Sequence, residues 1–84
     1  MWFLLNYDRQ RGEIVTLRTF PESQREQAEE ARLGLEIELS RAHVEREVVL
    51  LEAESEDALR RTHRRYFAQW DTLARSASSQ NRSP

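Results

Sequence analysis

Two β-favouring segments separated by five polar residues restrict most strongly what this chain can fold into. Trp2 to Tyr7 is aromatic and aliphatic, and Glu13 to Phe20 is rich in β-branched residues, the composition of strands that pack on a half-buried surface. Between them, Asp8-Arg9-Gln10-Arg11-Gly12 is polar and ends in a glycine. Glycine takes the positive φ that often closes a hairpin loop of this length. A β-hairpin is therefore expected at the start of the chain. Both strands carry apolar side chains on both faces: Phe3, Leu5 and Tyr7 against Trp2 and Leu4, then Val15 and Leu17 against Ile14 and Phe20. Such a sheet needs cover on each side, or it leaves one side apolar and open.

Pro21-Glu22-Ser23 opens a helix running to about Arg41, with proline tolerated in the first turn and acids near the positive end of the helix dipole. At about 100° per residue, Ala28, Ala31, Leu35, Leu39 and Ala42 form a core-facing stripe. Leu33 and Ile37, with Val44, lie on the opposite side, where packing on the sheet does not require them. Gly34, in mid-helix, costs roughly 1 kcal/mol relative to alanine and suggests close approach of another element. Arg46 to Glu54 holds the continuous run Val48-Val49-Leu50-Leu51, which predicts a strand buried on both faces. Joined to the second strand through a helix, it is expected to lie parallel to that strand by a right-handed crossover. Ser55 is placed to cap a second helix, with Glu56 and Asp57 in its first turn. That helix is expected to reach at least Phe67, and as far as Leu73. The expected fold class is α+β, with the order ββαβα: a three-stranded mixed sheet and two helices in one small domain over residues 1–73. Residues 74–84 are Ser-rich and polar and are expected to form a flexible tail.

The charges divide along the chain. From Glu22 to Asp57 there are 12 acidic residues and 4 arginines, whereas from Ala58 to Pro84 there are 6 arginines and one acid. Such asymmetry points to a charged partner or to self-association. All 13 basic residues are arginine, whose planar fork suits carboxylates and phosphates. In the second helix Leu59, Thr62, His63, Tyr66, Trp70 and Leu73 share one side. Arg60, Arg61, Arg64 and Arg65 project from the other. With Arg9 and Arg11 of the hairpin loop, these four are the candidate surface for an anionic partner. A solvated helix face is the plainer account, since Glu56–Arg60 and Asp57–Arg61 are i,i+4 pairs in the favourable acid-first order. Arg25–Glu29, Arg32–Glu36 and Glu38–Arg41 read the same way. An isoelectric point near 5.7 and the acidic first helix weigh against nucleic acid as the leading partner.

Several chemistries are excluded or disfavoured. There is no cysteine, so disulfides, thiolate metal sites and thiol nucleophiles are out. The two histidines, His43 and His63, are far apart in sequence, and no protein-only metal site or cofactor is expected. Two glycines, Gly12 and Gly34, do not build a phosphate-cradling loop. His63, three residues from Tyr66, is the candidate titrating group, with a structural histidine as the simpler explanation. No apolar run approaches the roughly 18 residues of a membrane span, and a cytoplasmic location in a bacterial or phage-type setting is expected. The hairpin, its closing Thr19-Phe20 and the acidic, Ala-rich helix resemble the arm-binding domains of phage integrases. The chain departs from that pattern by one strand before the helix, and the resemblance assigns no family.

The surplus of apolar surface, with Trp2 and Leu4 on one sheet face and Leu33 and Ile37 on the outer helix face, suggests a homodimer or a protein partner. The expected function is a small non-catalytic interaction or regulatory module. The alternative is a nucleic-acid-binding regulator that uses the arginine-rich helix.

Overall fold

The computed structural model describes residues 1–68. The hairpin forms as expected, from β1 (Trp2–Asp8) and β2 (Glu13–Phe20). Gly12 takes φ 66° and donates its N–H to the Asp8 carbonyl at 2.8 Å. The Asp8 carboxylate accepts from the N–H groups of Gln10 and Arg11, so a single aspartate organises the loop. A short 3-10 turn (Glu22–Gln24) leads into α1 (Arg25–Arg41), and β3 (Glu47–Glu52) and α2 (Glu56–Thr62) follow.

The sheet corrects the expected topology. Its order is β2-β1-β3 and every pairing is antiparallel, so the sheet is not mixed and β3 is not the parallel neighbour of β2. β1 lies between β2 and β3, which both oppose it and so share a direction. The physical reason lies in β1 itself. Phe3, Leu4, Leu5 and Asn6 are all buried, whereas β2 exposes four of its eight residues. A strand apolar on both faces gains most at the centre of a sheet, where cover arrives from both sides. The chain that leaves α1 therefore returns to the free edge of β1.

A bulge corrects the reading of β2. Asn6 faces Thr16 and Tyr7 faces Ile14, so Val15 is the extra residue. It puts Ile14 and Leu17 on the same face and leaves Val15 46% exposed. Simple alternation had paired Val15 with Leu17.

Helices cover both faces of the sheet. On one face Leu4, Phe20 and Ala28 are buried, with Trp2, Ala31, Leu35, Val48 and Leu50 packed around them. On the other, Phe3, Leu5, Leu59, Tyr66 and Phe67 are buried, flanked by Tyr7, Ile14, Leu17, Val49 and Leu51. The second helix is shorter than expected. α2 ends at Thr62, His63 leaves the helical region at φ −125°, ψ 53°, and the chain is helical again over 64–68. This break turns the chain so that Tyr66 and Phe67 both point inward. The end of the predicted domain at 73, the side chains of Trp70 and Leu73, and the expected tail at 74–84 lie outside the described residues.

Candidate functional site

Besides Met1 and the bulged Val15, the large apolar side chains left exposed among the described residues lie on the outer face of α1. Leu33 is 55% exposed and Ile37 43%, one turn apart on the side away from the sheet. A Cβ built at Gly34, next to them, would meet no atom within 4 Å. Nothing in the fold therefore requires glycine there, although it carries a helix-propensity cost. Two of the expected ion pairs along this helix form, Arg25–Glu29 at 3.4 Å and Arg32–Glu36 at 3.3 Å. The expected Glu38–Arg41 pair does not: Glu30, Glu38 and Arg41 are exposed and make no ion pair among the described residues.

Trp2 and Leu4 do not join this surface, as their grouping with Leu33 and Ile37 had implied. Leu4 is 2% exposed beneath α1. Trp2 is half-buried in the same cluster, with the Arg25 guanidinium 5.3 Å from its ring centre. Both belong to the core because α1 lies across that face.

The six candidate arginines divide between fold and surface. Arg60 lies 3.8 Å from Glu56 and 5.4 Å over the Phe67 ring. Arg65 donates to both oxygens of Glu47, at 2.7 and 2.8 Å, and sits 4.6 Å over the Tyr66 ring. Arg9 donates Nε–H to Glu47 at 2.7 Å, and Arg11 approaches Asp8 and Glu13 at 3.9 and 3.7 Å. Of these six, Arg61 and Arg64 are the two that are exposed without an ion pair among the described residues. The break at His63 separates the cluster that a continuous helix would have aligned.

Glu47 is the residue that sequence reasoning missed. Its side chain is only 11% exposed, and it accepts from Arg9, Arg65 and the Tyr66 hydroxyl. The Tyr66 hydrogen bond, followed by that of Arg9, holds its carboxyl below the usual range. Burial, then the bond to Glu47, pushes the Tyr66 phenol up. Tyr7, opposite Glu47 in the ladder, meets the Tyr66 ring edge to face at 5.0 Å. A signal was present in the sequence: Glu47 shares the inward parity of Val49 and Leu51, which a solvent-facing acid would not.

The side chains of His63 and Tyr66 have different partners. His63 is half-buried with Nδ1 2.9 Å from Thr62 Oγ1, and the Tyr66 hydroxyl is committed to Glu47. A cleft of about 970 Å³ lies elsewhere, between the hairpin loop and the C-terminal end of α1. Asp8, Arg9, Glu36, His43 and Arg46 line it, a mixture of charges without a common sign. Among the described residues no group of three His, Cys, Asp or Glu side chains is placed to hold a metal ion, and no helix is long and apolar enough to cross a membrane. No protein-family model, curated protein or solved structure matches the chain.

Proposed function

We propose that this chain is a small non-catalytic interaction module that forms a homodimer through the outer face of α1. The observation that carries the reading is the exposed pair Leu33 and Ile37 beside the unobstructed Gly34. Both sheet faces already have helical cover, so these side chains have no intramolecular task among the described residues. Burying an aliphatic side chain completely contributes about 1.5–3 kcal/mol, and these begin half-exposed, so each adds on the order of 1 kcal/mol. A helix of 17 residues offers a strip roughly 25 Å long and about 10 Å wide, on the order of 250 Å². That is less than the ~800 Å² per partner of a standard stable interface, so the dimer depends on concentration.

Sedimentation equilibrium across a concentration series tests this. The wild type is expected to associate, and Leu33→Arg with Ile37→Glu to be a monomer with unchanged circular dichroism, since both positions are solvent-facing. A double variant that associates as the wild type does would refute the reading.

A second reading keeps the arginines. α1 covers one face of the sheet and α2 the other, so the acidic helix lies away from Arg61 and Arg64. The repulsion that counted against an anionic partner is therefore reduced by the layering. Two free guanidiniums support weak phosphate binding rather than a dedicated nucleic-acid interface.

A further inference from the structure

The outer face of α1 carries its own complement. At about 100° per residue, Glu30 and Arg41 fall within roughly 20° of one another, three turns apart along the same flank of the Leu33–Ile37 stripe. Gly34 lies between them on that flank. The acid stands towards the N-terminal half of the helix and the cation at its C-terminal end, and neither makes an ion pair among the described residues.

A two-fold axis perpendicular to a pair of antiparallel helices brings each flank against its own copy, run in the opposite direction. Glu30 of one copy then meets Arg41 of the other, twice, and the axis passes beside Leu35 and Glu36. Leu33 and Ile37 of the two copies interleave at the centre. The Gly34 positions leave room for the backbones to approach. A parallel pair would place Arg41 beside Glu36 and Glu30 beside Arg25, but those partners are already engaged. Arg32 holds Glu36 at 3.3 Å, and Arg25 holds Glu29 at 3.4 Å while lying over Trp2. Only the antiparallel arrangement pairs charges that the monomer leaves unpaired.

We propose that the homodimer is an antiparallel two-fold pair of α1 helices, registered by reciprocal Glu30–Arg41 contacts around the Leu33–Gly34–Ile37 patch. This rests on the reading of the outer face of α1 as the working surface, and it adds the orientation and register of the partner. Isologous contacts of this kind are self-complementary, as closed dimers require.

Sedimentation equilibrium of Glu30→Arg, Arg41→Glu and their equimolar mixture tests the register. Each variant alone sets like charges together at both ends of the pair. At modest salt, each is expected to dimerise roughly tenfold more weakly than the wild type, by the scale of exposed ion pairs. In the mixture, the arginine at position 30 of one chain meets the glutamate at position 41 of the other, and the native pair forms at the opposite end. A heterodimer of near wild-type affinity is expected. A mixture no tighter than its components overturns the register. If the Leu33→Arg, Ile37→Glu variant is still a monomer in that case, the face stands and the arrangement falls. A wild type that stays monomeric throughout overturns both.

Discussion

Glu47 sits where three parts of the chain must agree: Arg9 from the hairpin loop and Arg65 and Tyr66 from the helical segment 64–68 all donate to it. The arginine side chains are 75% and 63% exposed, so their share is small, as for surface ion pairs. The buried phenol contributes more, because an unpaired hydroxyl at 8% exposure is costly. Glu47→Gln retains an acceptor for Tyr66 and loses the charge, and is expected to destabilise the fold by about 1–2 kcal/mol in urea unfolding. Tyr66→Ala also removes the ring packed on Tyr7, and is expected to cost about 3–5 kcal/mol. The pH dependence follows from the lowered carboxyl of Glu47. Its stabilisation is complete above the ordinary carboxylate value of about 4.3, and is lost as the pH falls through the lower folded-state value. The wild type is thus expected to converge on Glu47→Gln in acid; a constant gap between them down to low pH would assign the carboxylate no such role. Gly34 is the complementary case, a residue the monomer does not need. With open space around its Cβ position, Gly34→Ala is expected to raise monomer stability by about 1 kcal/mol. Gly34→Leu should also stabilise the helix, yet weaken association if the backbones approach there. Thermal melts of the monomeric background and sedimentation of the wild-type background separate the two effects.

The elements show where sequence was enough and where it fell short. Hairpin, first helix, third strand and the Ser55 cap could all be read locally: Ser55 Oγ accepts from the Ala58 N–H at 3.1 Å. Ser55→Ala is expected to cost about 1 kcal/mol, and an unchanged urea midpoint would show that the cap is dispensable in this short helix. What failed was non-local. The crossover from β2 could have returned to either edge of the hairpin, and connection length does not choose between them. The choice follows from β1, whose two-sided apolar pattern is visible in Phe3, Leu4 and Leu5 and marks a central strand as well as a need for cover. The Val15 bulge was hidden because Glu13-Ile14-Val15-Thr16 satisfies simple alternation as written. The turn at His63 was hidden because the residues on either side of it fit a helical period. An α2 of seven residues is too short to persist alone, so burial of Leu59, Tyr66 and Phe67 decides its path. For the site, the Leu33–Ile37 stripe was legible because it is a property of one helix. The inward parity of Glu47 was also legible, but its role was not, because its three donors come from two distant parts of the chain.

At the scale of the molecule, the charge split becomes a layering, with acidic α1 on one face of the sheet and Arg61 and Arg64 on the other. An α1-to-α1 dimer would place the two sheets outside the helix pair and the two arginine patches outermost, facing opposite ways. One nucleic-acid duplex then reaches the arginines of only one copy, and dimerisation adds no avidity. Two phosphate contacts give a salt slope near −2, or a loss on the order of tenfold for a fourfold rise in salt. Anisotropy of labelled mixed-sequence DNA is accordingly expected to show weak binding with this shallow slope, abolished by Arg61→Gln with Arg64→Gln. The affinity should be equal for the wild type and for Leu33→Arg with Ile37→Glu. A steeper slope, or binding that requires dimer, would mean that nucleic acid contacts more than the two free arginines and spans both copies. That would be incompatible with arginine patches that face apart, and would move the dimer interface away from α1.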